Sequence, residues 1–421
     1  MLANEKKVGY DIANKHGGVC MKKITILGDI MVEPPFMQQV ENNGEYDFKP
    51  SFAPLKTILE ESDYVIGNLE TPLAGPESGY THELVSFNSP DVLVEALVDI
   101  GIDAVSTANN HSLDRGYEGL VRTVEVLDRY GIAHTGTYPE DFDGERIHYF
   151  TVGDTKFALI AGTFATNFGI NRVDLVGKRE RCVNMLHPVH SGGAIYLPLP
   201  PAYAKTLAYV EGLMGRKLVW EESTKLKRVM DMPRCSIDDI IPQEAFERCW
   251  TWVAEDYAEA RNNADVVLFY PHSGGQFNVE PGKYTQYMVK RAVELGFDGV
   301  FAGHAHTTQR AEYLEGKPCF YSLGNVSMSP GTFYSIPECL PEYGLAVHLH
   351  TEAGKIQKVT FSIFKMVQEE GVPMKVVPVD DLFIALTGEE REELLSHVAE
   401  VYQRVTGKEH TWQQPQKEYD L

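Results

Sequence analysis

The apolar, β-branched runs of this chain end, one after another, at residues able to bind a cation or carry a proton. "KKITILGDI" (22–30) stops at Gly-Asp and delivers Asp29, and "SDYVIGNLET" (62–71) delivers Glu70 just past its end. "DAVSTA" (103–108) opens into a polar loop holding Asn109, Asn110, His111 and Asp114. Further on, "ADVVLFYPHSGG" (264–275) ends at His272, and "DGVFAGHAH" (298–306) ends at His304 and His306. Stretches with apolar residues at helical spacing, such as "DVLVEALVDIG" and "QYMVKRAVELGF", lie between these runs. Strands alternating with amphipathic helices predict a layered α/β fold. Ligands of such folds sit outside the carboxyl ends of the strands, where these polar residues fall.

The alternation holds over 22–165 and 262–365, and these two stretches are expected to form one core. Between them, 166–261 is expected to be a helical insertion, a cap over the strand ends, with helices in "YAKTLAYVEGLMGRKLVWEESTKLKRVM" and "QEAFERCWTWVAEDYAEARNN". A hairpin is predicted in 345–364, turning at Ala353-Gly354. The segment 366–421 is expected to be a helical tail, with its clearest helix in "GEEREELLSHVAEVYQRVTG". "MKKITILGD" makes Met21 the expected native start, and 1–21 a possible non-native leader in which "GGVC" is a translated ribosome-binding site.

A formal net charge of −22 excludes a broad basic face for DNA or RNA, so no nucleic-acid partner is expected. A small anionic or polymeric substrate remains compatible with a locally positive pocket. No apolar run reaches the roughly 20 residues of a membrane span. The six cysteines form no CxxC pair, which fits reduced thiols and a cytoplasmic location.

Taken singly, the strand-end residues have ordinary explanations: Asp29 as a helix cap, Asn110 as a turn residue, His272 as a buried polar group. Their shared position points to a metal site. Carboxylate, imidazole and amide oxygen together suit one or two divalent ions such as Mn, Fe or Zn. A shared carboxylate lets two cations sit about 3.5 to 4 Å apart, where they can clamp the attacking and leaving oxygens of a displacement. His-x-His on a continuing strand would face opposite ways, so Gly303 and Ala305 predict a turn there. Ser273, Gln276, Gln309 and Asn325 are candidate substrate contacts by position. Lys178, Arg179 and Arg181 are either a solvated charge run or an anion contact. His82, His134, His187, His190, His348 and His350 are read as structural.

The motifs "GDIM", "GNLET", "ANNHSLDRG", "PHSGG", "GHAHTTQ" and "GKPCFYSLGN" resemble, in order and spacing, those of the CapA (PgsA) capsule-biosynthesis family associated with poly-γ-glutamate, itself similar to calcineurin-like metallophosphatases. The resemblance covers roughly 22–165 and 262–330. It implies an αββα two-sheet sandwich with the metal site at the sheet edges. It also implies that Asp29 holds a first metal, that Glu70 bridges, and that Asn110, His272 and His304 hold a second, with His306 returning to the first. His111 would meet the substrate as acid or electrostatic stabiliser, oriented by Asn109 and Asp114. Two departures stand out: Met31 replaces the imidazole of the Asp-x-His motif, and Ser273 and Gln276 replace a Trp and a Glu after the histidine. The implied function is metal-dependent hydrolysis of a phosphoester or amide-type bond. The alternatives are a non-catalytic component of polymer synthesis and a one-metal lyase or isomerase acting on a small acid.

Overall fold

The computed structural model describes residues 21–82, 85–187, 201–216, 236–239, 241, 243–330, 332, 335–369 and 371–421. The expected leader, much of the expected insertion (188–200 and 217–235) and His190 lie outside the described residues.

Strands β1 (Lys22–Ile30), β4 (Tyr64–Leu69), β5 (Ala104–Ser106), β6 (Ala133–Thr135), β14 (Tyr343–Glu352), β15 (Lys355–Val367) and β16 (Lys375–Pro378) form the main path of one sheet. Its order is β16-β15-β14-β1-β4-β5-β6, with β13 (Asn325–Ser327) on β1 and β17 (Tyr419–Asp420) on β15. A second sheet runs β11-β12-β10-β9-β8-β7, from β7 (His148–Val152), β8 (Thr155–Thr163), β9 (Val266–His272), β10 (Gly299–Phe301), β11 (Ala311–Leu314) and β12 (Lys317–Phe320). The short hairpin β2 (Glu41–Asn42) and β3 (Glu45–Tyr46) stands apart.

Alternation within single strands shows how the layers stack. In β9, Val266, Leu268 and Tyr270 join a buried cluster shared with Ile24, Ile26, Ile66 and Val347 of the first sheet, while Val267 and Phe269 pack against the outer helices. Strands buried on both faces read as continuous apolar runs. Leu27, Ile30 and Val65 pack outward on the helices Val92–Asp99 and Gly116–Tyr130. The result is the αββα sandwich, with its central core between the two sheets.

Two expected boundaries differ. The helix Gln243–Asn263, placed by sequence in the insertion, is the crossover between the parallel strands β8 and β9. Its Phe246, Trp250, Val253 and Ala260 cover the outer face of the second sheet beside the helix Lys283–Leu295. Crossovers between parallel neighbours return across the sheet face, so this helix belongs to a core layer. The tail is likewise docked: β16 and β17 pair with β15, and Leu394, Val398, Val401 and Val405 of the helix Gly388–Thr406 join the central cluster. Of the predicted helix in 203–230, the described part is Pro201–Met214. No helix among the described residues is long and apolar enough to cross a membrane.

Candidate metal centre

The site forms where the carboxyl ends of β1, β4, β5, β9 and β10 meet at one edge of the sandwich. Strand β1 carries register shifts on both sides of Asp29, and the Asp29 N–H donates to Gly324 O at 3.0 Å. A Cβ at Gly28 would collide with that same Gly324 carbonyl, so the close approach needs glycine. Bulges of this kind re-aim a side chain. Here Asp29 Oδ1 accepts from Asn68 Nδ2 and Oδ2 from the His304 N–H, each at 2.8 Å. Gly303 makes that contact possible, since a Cβ there would stand 2.5 Å from Asp29 Oδ1.

The expected turn at the His-x-His is present and strained. His304 and His306 both take positive φ, +92° and +52°. Such conformations persist only where surrounding contacts fix them. Asp29 holds the His304 amide, Phe277 N–H donates to Ala305 O at 2.7 Å, and Asn325 Nδ2 donates to His306 O at 3.1 Å.

Glu70 lies at the centre, fully buried. On one side, His272 Nε2 stands 3.2 Å from Glu70 Oε1 and 2.7 Å from Asn110 Oδ1. His304 Nδ1 is 3.1 Å from both His272 Nε2 and Asn110 Oδ1. On the other side, His306 Nε2 is 3.8 Å from Glu70 Oε1, and its Nδ1 is 3.7 Å from Asp29 Oδ2. Ligand atoms of Glu70, His304 and His306, and of Asp29, Glu70 and His272, form two trios within 4.8 Å. The trios share Glu70 but cross the expected division. Asn110, His272 and His304 lie closest together, while Asp29 stands between the two sides, its Oδ1 3.5 Å from His272 Nδ1 and its Oδ2 3.7 Å from His306 Nδ1.

Neither oxygen of Glu70 accepts a well-directed hydrogen bond, although His272 Nε2 stands 3.2 Å from Oε1, and His306 Nε2 has no hydrogen-bond partner. Buried polar atoms left in that state cost free energy. Clustered oxygen and imidazole lone pairs around a bare carboxylate are what a divalent cation satisfies. The electrostatics agree. Burial alone would raise Asp29, but His272, His306 and the His304 amide outweigh it and hold the carboxyl at about 2. Burial pushes His272 down, yet Glu70 and Asp29 lift it to about 10. Burial and the neighbouring His272, His306 and His111 push His304 well below its ordinary range. Two buried carboxylates thus demand positive charge between them.

His111 sits beside this cluster with Nε2 4.0 Å from Glu70 Oε1. Asp114 Oδ2 lies 2.6 Å from His111 Nδ1 and also accepts the Phe87 N–H at 2.7 Å. The Phe87 ring stacks on the imidazole at 4.2 Å. Burial lowers the His111 pKa, but Asp114 and Glu70 outweigh it, so the net shift is upward.

The other expected residues fall in different surroundings. Asn109 accepts the His111 N–H at 3.1 Å and donates to Leu69 O at 2.7 Å, bracing the loop. Asn325 Oδ1 lies 2.9 Å from His306 Nδ1, so its amide grips that histidine. Gln309 is tied to Asn278 O at 2.6 Å. Ser273 Oγ is buried without a hydrogen-bond partner, and Gln276 is half-buried. Met31 is buried, its backbone held by Ser327 Oγ. Lys178 and Arg179 pair with Asp141 and Glu140 at 2.5 and 2.6 Å, the arrangement of a surface charge run.

Sequence reasoning missed four residues. Asn68 bridges Asp29 and His272, the latter at 3.2 Å. Phe87 and Asn167, whose Nδ2 is 3.3 Å from His111 Nδ1, complete the His111 surroundings. Glu33 is fully buried and hydrogen-bonded to Ser329 and Thr332, and burial raises its carboxyl to about 7. A polar residue inside the buried run "VIGNLE" was the available signal for Asn68.

Residues 23–329 match the family model described as "Bacterial capsule synthesis protein PGA_cap". A capsule biosynthesis protein CapA of Bacillus anthracis is 21% identical over 355 residues, 81% of this chain and 70% of that protein. A PGA biosynthesis protein CapA of Bacillus subtilis is 21% identical over 323 residues, covering 76% and 67%. Among solved structures, a 5'-nucleotidase from Candida albicans overlaps 83% of this chain and 52% of its own, with 12% identity and a TM-score of 0.37.

Proposed function

The chain belongs to the bacterial capsule synthesis protein family PGA_cap, and from that premise we propose that it is a metal-dependent hydrolase of a phosphoester or amide-type bond in capsule or poly-γ-glutamate metabolism. Asn110, His272 and His304 would hold one divalent ion, Asp29 and His306 the other, with Glu70 between them. When bound, such ions lower the pKa of water and polarise the scissile bond. Mn, Fe and Zn all suit this donor set.

The chain's own groups carry the remaining work. Asp114 takes the hydrogen bond from His111 Nδ1, which leaves Nε2 directed toward Glu70 and available to give a proton to the leaving group. Asp114 and Glu70 shift that imidazole toward its protonated form against the opposing effect of burial. Phe87 fixes the plane of the ring. The free cysteines Cys182, Cys249 and Cys319 among the described residues suit a reducing cytoplasm.

The observation that carries this reading is the bare Glu70 carboxylate, fully buried amid three imidazoles. The test is hydrolysis of a generic phosphodiester and of γ-linked glutamate peptides by Mn-loaded protein, with His111→Ala as control. Turnover that disappears in the variant while metal content persists is expected; metal-loaded wild type inert on both classes would overturn it. Met31 favours a second reading, a non-catalytic component with one structural cation, and that same inert result would support it.

A further inference from the structure

Arg404 lies beyond the residues that match the family model, on the helix Gly388–Thr406, yet it reaches the turn that carries His306. Its side chain is 8% exposed, and Nη1 donates to Thr307 Oγ1 at 2.7 Å and to Cys339 O at 2.8 Å, with Thr308 O at 3.5 Å. Thr307 Oγ1 in turn donates to Cys339 O at 2.6 Å. Nη2 pairs with Glu400 at 2.6 Å, which keeps the guanidinium aimed along its own helix. Thr307 and Thr308 are completely buried.

The contact falls where the backbone most needs support. His304 and His306 hold positive φ, and Asp29 and Phe277 secure the turn only as far as Ala305. Past that point, Asn325 holds the His306 carbonyl, Thr308 pairs with Leu323 in an antiparallel bridge, and Arg404 holds the Thr307 hydroxyl and reaches the Thr308 carbonyl. The helix bearing Arg404 is itself anchored by Leu394, Val398, Val401 and Val405 in the central core. The guanidinium sets Nη1 on the turn and Nη2 on Glu400 at once, a fixed fork that the single nitrogen of a lysine ammonium cannot copy.

We propose that Arg404 is a positioning residue for the metal centre: through Thr307 and Thr308 it fixes the strained conformation of His306, so the C-terminal helix is part of the site. This rests on His306 being a metal ligand, as set out above. Groups that orient a ligand typically govern metal affinity without touching the ion.

The test is a double-mutant cycle of Arg404→Ala and Thr307→Val, with Mn2+ titrated into metal-free protein and followed by calorimetry and electron paramagnetic resonance. Each variant is expected to weaken the ion on the His306 side by about tenfold and to leave the other ion unchanged. The double variant should be little worse than either single one, because both remove the same link. Arg404→Lys should recover only part of the loss. Correctly folded single variants that bind both ions as wild type does would overturn the proposal. Hydrogen exchange over 303–309 separates the two claims: a wild type that takes up no metal defeats the reading of the site. Arg404 is then judged by whether that peptide exchanges faster in Arg404→Ala, and unchanged exchange overturns its role.

Discussion

On the His272 side of Glu70, Asn110 Oδ1, His272 Nε2 and His304 Nδ1 stand 2.7 to 3.1 Å from one another, drawn from loops and strand ends of both sheets. On the other side, among the described residues, His306 stands 3.8 Å from Glu70 and 3.7 Å from Asp29, which also lies 3.5 Å from His272 Nδ1, and Met31 occupies the position after next to Asp29. Atoms that all carry lone pairs cannot sit so close without a proton or a cation between them. The difference teaches that one central carboxylate can face two unequal surroundings: a side built tightly enough to require a positive charge, and a side that merely permits one.

The largest break in that comparison comes from His272→Ala. It removes a proposed ligand and also the charge that offsets two buried carboxylates, a loss of about 3 kcal/mol or more. Metal content by mass spectrometry should fall to zero on that side, and calorimetry of metal-free protein should show a sharply lower Tm. His306→Ala, by contrast, should remove one ion of two and leave the tight side loaded.

Proton linkage separates the sides next. The raised His272 pKa means that its proton stabilises the metal-free fold fully below about pH 6.5, its unfolded value, and that this contribution is lost as pH rises through about 10. Metal on the His272 side must displace that proton, so uptake should tighten as pH rises, with proton release visible by calorimetry in buffers of different ionisation enthalpy. Uptake independent of pH would contradict the assignment.

Glu33 tests the Met31 side from below. Its carboxyl, raised to about 7 by burial, stabilises the fold in its neutral form below about pH 4.5, and that contribution is lost as pH rises through 7. Glu33→Gln should therefore raise stability at pH 9 by on the order of 2 to 3 kcal/mol and leave it little changed at pH 5, as read by urea denaturation. The smallest effect is the most pointed: Met31→His should tighten the weaker ion by about tenfold, or about 1.4 kcal/mol, and leave the stronger one alone.

Much of this was legible in the sequence, for identifiable reasons. Strand ends announce themselves where an apolar run meets Gly-Asp or Pro-His, so Asp29, Glu70, Asn110, His111, His272, His304 and His306 could be collected before any fold was known. The helix Gln243–Asn263 was misplaced because an amphipathic face reads alike in a cap and in a core layer; only the parallel pairing of β8 with β9 decides. Strands as short as β16 and β17 carry too little pattern to be seen. Asn325 is bound to a histidine 19 residues earlier, and Arg404 to a threonine 97 residues earlier, and neither spacing leaves a periodic trace.

The inequality of the two sides can be read in one titration of Mn2+ into metal-free protein at pH 8. Two steps are expected, the first at least about tenfold tighter and abolished by His272→Ala, the second abolished by His306→Ala alone. Two ions bound with equal affinity, or none bound by a folded protein, would contradict it.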